Sequence, residues 1–184
     1  MYHDALGPAA FIAKVRIEGL RDHGACLSPF NAFQIIQGLE TLEIRMKKHS
    51  ENALELAEWL ESRDEVIWVN YPGLKSSKYF AEAEAYLPKG QSGLITFGVK
   101  GGYDSARKIA DGTQIFSLLA NIGDTKSLII HPASTTHQQL DDKAQESTGV
   151  TKDLIRLSVG LENLDDLKAD LEQAFTTIDK SVPA

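Results

Sequence analysis

Residues 154–159 read Leu-Ile-Arg-Leu-Ser-Val, and this stretch decides the fold class of the 184-residue chain. Successive side chains of a β-strand point to opposite faces, so one face carries three apolar side chains: Ile155, Leu157 and Val159. The other, mixed face carries Leu154, Arg156 and Ser158. Residues 94–99 alternate in the same way. Because an apolar face needs helices to cover it, we predict a two-layer α/β (α+β) domain with a mixed or antiparallel sheet covered by helices.

Helices and strands alternate on both sides of this stretch. Apolar spacing and Gly or Pro boundaries predict helices over residues 9–23, 31–61, 77–86, 104–116 and 163–178. Two more strands are predicted over residues 66–71 and 127–131. The long helix that precedes the sheet is expected to have Asn31 as its N-cap and a break near residues 49–52, and Asn163 is expected to cap the last helix.

Composition and charge argue against several classes of protein. The chain has 19 Lys and Arg against 26 Asp and Glu, a net charge of −7, whereas a nucleic-acid-binding domain needs a basic face. No apolar run approaches the roughly 18 residues of a membrane span, and residues 1–14 lack the pattern of a signal peptide. Cys26 is the only cysteine, which rules out an intramolecular disulfide and a cysteine-based zinc site. We therefore expect a cytoplasmic protein that binds neither nucleic acid nor a membrane.

Common catalytic and metal-binding motifs are missing from the sequence. It has neither the G-x-S-x-G elbow of serine hydrolases nor the phosphate loop of nucleotide-binding proteins. His131 and His137 lack the spacing of a metal-binding pair and are expected to be loop histidines. Cys26 is expected to pack at a helix end. No metal site is predicted.

Two features of the sequence point to a ligand. Arg156 lies in the middle of an otherwise apolar strand, where its planar guanidinium could bind a carboxylate through two parallel hydrogen bonds. The alternative is an arginine on a solvated sheet face. The second feature is the loop 121–125, Asn-Ile-Gly-Asp-Thr, whose residues are also typical of a plain connecting turn.

Six motifs occur together in the chain, in this order: Ser28-Pro-Phe-Asn-Ala-Phe33, Gln37-Gly-Leu-Glu-Thr-Leu42, Leu119-Ala-Asn-Ile-Gly-Asp124, Ser127-Leu-Ile-Ile-His-Pro-Ala133, Thr135-Thr-His137 and Ile155-Arg-Leu-Ser-Val-Gly-Leu-Glu162. They resemble the C-terminal part of O-acetylhomoserine sulfhydrylases, in the Cys/Met-metabolism group of pyridoxal-phosphate (PLP) enzymes. The resemblance implies the small C-terminal domain of the aspartate-aminotransferase-like fold (fold type I). It also implies that residues 1–62 are connecting helices that lead from a large PLP domain, and that residues 63–184 are the small domain.

Two positions distinguish this chain from other branches of the group. Cystathionine synthases and lyases usually carry an arginine before the Gly-Leu-x-Thr-Leu run, where this chain has Gln37. They also carry a Ser-Leu-Gly-Gly loop where residues 121–124 read Asn-Ile-Gly-Asp. Both differences resemble the sulfhydrylase pattern. A γ-synthase or γ-lyase relative and a stand-alone structural or interaction domain stay as alternatives.

The resemblance implies substrate-binding roles for two residues. Arg156 matches the family's strand arginine, which binds the substrate α-carboxylate, and Asn121 falls where cystathionine enzymes have a serine that helps to hold it. The family's Schiff-base lysine, in a Ser-x-Thr-Lys context, has no match here, so we expect no catalytic residue and no bound PLP in this chain alone. The complete enzyme is expected to be a PLP-dependent homo-oligomer that converts O-acetylhomoserine and sulfide to homocysteine and acetate. This part of it is expected to be inactive by itself.

Overall fold

The computed structural model describes residues 2–177. The chain consists of two compact units, Met1–Leu42 and Glu43–Ala184. The N-terminal unit contains α1 (Tyr2–Leu6), a 3-10 turn (Gly7–Ala9), α2 (Ala10–Lys14), a π-helical stretch (Val15–Asp22) and α3 (Pro29–Glu40). The helix predicted over residues 9–23 is therefore present, with a π-helical second half. None of residues 2–42 is buried.

The predicted long helix is two helices. The first, α3, is capped by Ser28 and not by Asn31, because Pro29 occupies the first helical position and the Ser28 Oγ accepts the N–H of Asn31 at 3.1 Å. The second, α4 (Leu42–Glu61), follows Thr41, so the break lies earlier than residues 49–52. Residues 49–52 stay helical because two of them are buried and bind main-chain carbonyls that follow the last strand.

A five-stranded mixed sheet forms the centre of the C-terminal unit. Its strands are β1 (Val66–Asn70), β2 (Leu94–Val99), β3 (Ser117–Leu118), β4 (Leu128–Ile130) and β5 (Leu154–Ser158). Their spatial order is β1-β2-β5-β4-β3, and neighbours are antiparallel except for the parallel pair of β3 and β4. The predicted fold class is confirmed. The sequence does not predict β3, which has only two residues, both exposed.

Three helices cover one face of the sheet: α4, α6 (Gly102–Gly112) and α8 (Leu164–Phe175). Two shorter helices, α5 (Phe80–Tyr86) and α7 (Asp142–Ser147), and a 3-10 turn (Pro132–Ser134) lie in the connections. The buried core includes Ala53, Leu56, Leu60, Ile109, Leu167, Leu171 and Phe175 from the helices, and Ile95, Phe97, Val99, Ile129, Ile155, Leu157 and Val159 from the sheet. The apolar faces predicted for residues 94–99 and 154–159 are thus the faces that the helices cover.

Two helix ends have identifiable causes. α6 ends at Gly112 and not at the predicted residue 116, because the next main-chain N–H groups, from Gln114 to Phe116, donate to the buried carboxylate of Asp170. α8 begins after Asn163, whose side chain accepts the N–H of Asp165 at 2.8 Å, as the predicted cap requires. This helix ends at Phe175, and Thr176 and Thr177 form a turn, so it stops short of the predicted residue 178, which itself lies outside the described residues.

The boundary between the two compact units lies at a different residue from the predicted division of the chain into residues 1–62 and 63–184. The second compact unit begins at Glu43. It includes α4 because Ala53, Leu56 and Leu60 are fully buried in the core. A division after residue 62 would separate the sheet from one of its three covering helices.

Candidate functional site

Arg156 lies at the centre of the sheet, on the middle residue of β5. Its backbone pairs with Thr96 of β2 on one side and with Ile130 of β4 on the other. Its neighbours Ile155 and Leu157 are fully buried on the helix-covered face, so the Arg156 side chain leaves from the opposite face. A central strand gives this half-buried cation a rigid base.

An open cleft of about 310 Å³ borders Arg156 on this face. It is lined by Asn70, Pro72, Tyr79, Leu94, Ile95, Thr96 and Arg156. Arg156 carries the only charge of this lining, and Asn70 donates to the Thr96 hydroxyl at 3.3 Å. No acidic side chain within residues 2–177 forms an ion pair with Arg156. Within the described residues, the guanidinium charge therefore has no acidic partner.

Asn121 contacts Arg156 through its backbone. Its carbonyl oxygen accepts a hydrogen bond from the Arg156 Nη2 at 3.0 Å, while its side-chain Oδ1 accepts the N–H of Ile122 at 2.9 Å. The structure thus brings the two predicted site residues together, but by an atom that the sequence did not single out. The roles of Arg156 and Asn121 in binding a substrate stay predictions.

The loop that carries Asn121 is a genuine turn. Gly123 has a φ of +73°, a left-handed conformation that favours glycine, and the Asp124 carboxylate accepts the N–H of Lys126 at 3.1 Å. At the end of the loop, Glu162 binds both the N–H and the hydroxyl of buried Ser127. Neither Ser127 nor Glu162 is predicted as a site residue from the sequence, because this pairing joins positions 35 residues apart.

His131 has a structural environment. It is buried, its Nε2 lies 2.9 Å from the Lys152 carbonyl, and its Nδ1 lies 2.8 Å from the Ser134 Oγ. Since a carbonyl can only accept, the Nε2 carries the proton and the Nδ1 accepts from Ser134 when the ring is neutral. Burial lowers the pKa of His131 below its usual 6.5, against the opposing effect of the bond to Lys152.

The other residues singled out by type have no metal-binding arrangement. The Nδ1 of His137 lies 2.9 Å from the hydroxyl of neighbouring Thr136. Cys26 is exposed, so its expected packing role is wrong. No group of three or more His, Cys, Asp or Glu in residues 2–177 is arranged to hold a metal ion. In the same range, every helix is too short or too polar to cross a membrane.

Comparison with known proteins identifies the class to which this fold and this site belong. The family model of the Cys/Met metabolism PLP-dependent enzymes matches residues 9–176. The chain belongs to this family.

Two of its similar relatives are named as O-acetyl-L-homoserine sulfhydrylases. The O-acetyl-L-homoserine sulfhydrylase of Leptospira meyeri is 57% identical over 92% of this chain and 38% of that protein. The O-acetyl-L-homoserine sulfhydrylase 1 of Thermus thermophilus is 47% identical over 94% of this chain and 41% of that protein. A crystal structure of a putative O-acetylhomoserine (thiol)-lyase from Campylobacter jejuni superposes with a TM-score of 0.84 and 49% identity, over 95% of this chain and 41% of that one. The chain thus spans about two fifths of the length of these relatives.

The Arg156 cleft differs from the lysine-bound PLP site of a related structure. In the Campylobacter jejuni structure the pyridoxyl-lysine is at position 205, outside the part that this chain covers. The Arg156 cleft has no lysine in its lining. Lys152, one of two lysines here that follow a threonine, instead pairs with Asp142 at 2.5 Å. No cofactor contact is therefore assigned to this cleft.

Proposed function

We propose that this chain is the C-terminal part of a PLP-dependent O-acetylhomoserine sulfhydrylase, in which Arg156 binds the α-carboxylate of the substrate. One observation carries the proposal: Arg156 has no ion pair within residues 2–177 and lines a cleft that contains no other charge. The sulfhydrylase names of the relatives that share this segment support it.

The geometry accounts for how Arg156 would orient a substrate. Its guanidinium has five N–H donors, and the contact with the Asn121 carbonyl engages one of them. The remaining donors can meet a carboxylate through two parallel bonds, and a charge-assisted hydrogen bond contributes roughly 1.5–3 kcal/mol. A substrate held at its carboxylate presents its amino group and its ester in one orientation. The side-chain amide of Asn121 is proposed as a second donor to the same carboxylate.

When bound in the complete enzyme, PLP supplies an electron sink for the replacement of acetate by sulfide, which yields homocysteine. The residues of this chain bind and orient the substrate. Without a Schiff-base lysine of its own, the chain alone is expected to be inactive.

The N-terminal unit fits the same proposal. On α3, five large apolar side chains are each more than half exposed: Phe30, Phe33, Ile35, Ile36 and Leu39. Exposed apolar patches of this kind mark contact surfaces. We propose that the N-terminal unit connects to a large PLP domain, that the C-terminal unit, which begins at Glu43, acts as the small domain, and that the complete enzyme is a cytoplasmic homo-oligomer.

Kinetics of the complete enzyme test the role of Arg156. Arg156→Ala is expected to lower kcat/KM for O-acetylhomoserine by about 10- to 150-fold, the equivalent of one charge-assisted bond, while PLP loading, read from its absorbance, stays intact. The matched control is Arg107→Ala, which removes an exposed arginine of α6 that pairs with Asp111. Near-normal kcat/KM for Arg156→Ala would overturn the proposal. Use of cysteine in place of sulfide as the acceptor would identify a γ-synthase instead.

A chemical test addresses the absence of a cofactor lysine. The 184-residue chain is mixed with PLP, reduced with borohydride and analysed by mass spectrometry. No stoichiometric adduct at a single lysine is expected. Such an adduct would contradict the assignment of this chain to the substrate-binding part of the enzyme.

A further inference from the structure

We propose that Glu162 is a positioning residue for the Arg156 site, acting through a polar clamp made of Glu162, Ser127, Gly160 and Asn52. The inference rests on the proposed function of Arg156 and extends it to residues that lie outside the cleft. The loop that these residues support is 119–126, which carries Asn121.

The clamp is a closed set of hydrogen bonds. The Glu162 carboxylate accepts the Ser127 N–H at 2.7 Å with one oxygen and the Ser127 hydroxyl at 2.8 Å with the other. The Ser127 Oγ in turn accepts the N–H of Gly160 at 2.8 Å. Ser127 and Gly160 are buried, so their polar groups form hydrogen bonds with the protein and not with water.

The core helix α4 fixes the clamp. The side-chain amide of buried Asn52 donates to the carbonyls of Gly160 at 3.0 Å and Glu162 at 3.2 Å. Gly160 is required by space, since a Cβ there would lie 2.5 Å from the Thr125 carbonyl oxygen and would also overlap the Glu162 carboxylate. These contacts hold the segment after β5 against the core.

The clamp joins the two segments that meet at the site. Thr125 and Ser127 lie at the end of the loop whose earlier residue Asn121 contacts Arg156, and Gly160 follows the strand that carries Arg156. Two contacts tie this loop to the segment around β5: the Asn121 carbonyl accepts from Arg156, and the Thr125 carbonyl accepts the N–H of Leu161 at 2.9 Å. Leu161 lies between the clamp residues Gly160 and Glu162, so releasing the clamp loosens the contact of Leu161 with Thr125.

The consequence concerns the guanidinium. When the loop shifts, the Asn121 carbonyl no longer holds Arg156, and the side chain regains the rotamers that binding a carboxylate must then restrict. Glu162 thus acts on substrate binding through Arg156 and touches no substrate itself.

A double-mutant cycle in the complete, PLP-loaded enzyme tests this inference. Glu162→Ala is expected to raise KM for O-acetylhomoserine about tenfold while kcat changes by less than about threefold. In the Arg156→Ala background the same substitution is expected to leave KM unchanged, because the residue through which it acts is gone. Glu162→Gln keeps one acceptor oxygen for the Ser127 N–H and is expected to restore part of the loss.

The matched control is Asp170→Asn, which disrupts a different buried carboxylate on the helix-covered side of the sheet. It is expected to lower the melting temperature and leave KM unchanged. If Glu162→Ala does not fold, Glu162→Gln replaces it in the cycle. The inference would be overturned if Glu162→Ala raised KM equally in both backgrounds, or if it had no effect in the wild-type background. The proposed function would still stand in either case, provided that Arg156→Ala lowered kcat/KM. An Arg156→Ala enzyme with normal KM and kcat/KM would instead overturn the proposed function.

Discussion

The two units of the chain bury their apolar residues very differently. In the C-terminal unit, the alternating side chains of β2 and β5 are enclosed by three helices, and Phe97 is fully buried. In the N-terminal unit, α3 has apolar residues at helical spacing, yet none of residues 2–42 is buried and Phe33 is 58% exposed. Regularly spaced apolar side chains are therefore buried in a core in the C-terminal unit and exposed in the N-terminal unit.

This difference shows that apolar periodicity predicts a helix but not what covers it. Burial of an apolar side chain stabilises a fold by roughly 25 cal/mol per Å² removed from water, and the C-terminal unit obtains this stabilisation from its own residues. Most of the stability of a helix in a protein comes from the packing of its apolar face. The helices of the N-terminal unit are therefore expected to depend on contacts beyond their own residues.

The largest effect is expected in the core. Phe97→Ala removes a ring that meets Phe175 edge-on, with 6.5 Å between ring centroids. The cavity should lower the free energy of unfolding by about 3–5 kcal/mol. Urea denaturation of the 184-residue chain measures it, and a loss below about 1 kcal/mol would contradict the core as described.

A smaller loss is expected at the buried carboxylate of Asp170. It accepts three main-chain N–H groups at 2.7–3.0 Å, and Asp170→Asn places an NH₂ group opposite some of these donors. The free energy of unfolding should fall by about 1–3 kcal/mol. Asp166→Asn, at an exposed position of the same helix, is the control in the same denaturation experiment and should change little.

The third effect depends on pH. Because burial lowers the folded-state pKa of His131 below the usual 6.5, the unfolded chain binds a proton more readily than the folded chain. The contribution of neutral His131 to stability is then fully present above pH 6.5 and is lost as the pH falls towards the folded-state pKa. Denaturation at a series of pH values should show this slope, and His131→Gln should flatten it. An unchanged slope in that variant would assign the pH dependence to other groups.

The smallest effect in this chain is expected at Phe33. Phe33→Ala removes the same ring as Phe97→Ala but from an exposed position, so the free energy of unfolding should change by less than about 0.5 kcal/mol. In the complete enzyme the same substitution should destabilise more strongly, because the proposed large domain covers α3. Thermal melts of the 184-residue chain and of the complete enzyme, each with and without Phe33→Ala, compare the two shifts in melting temperature. Equal small shifts would mean that α3 stays exposed in the complete protein.

How well the sequence predicts each structural feature depends on how far apart along the chain the interacting residues lie. β2 and β5 are predictable because alternation is written into consecutive residues. The end of α6 is not, because it depends on Asp170, 54 residues from Phe116 along the chain. The sequence predicts that Arg156 and Asn121 lie near each other, but it does not predict which of their atoms are in contact. Every residue has a carbonyl, and no side-chain type marks the one that accepts the hydrogen bond.

The most direct test of the central claim, that Arg156 recognises a carboxylate, compares two competitive inhibitors of the complete enzyme. L-norvaline carries the α-carboxylate, and n-butylamine is the same molecule without it. The wild-type enzyme should bind n-butylamine about 10- to 150-fold more weakly, as expected for one charge-assisted bond. In Arg156→Ala the ratio of the two inhibition constants should fall at least several-fold, to the discrimination that the Asn121 amide alone provides. A ratio that is the same in the PLP-loaded variant as in the wild type would contradict the account.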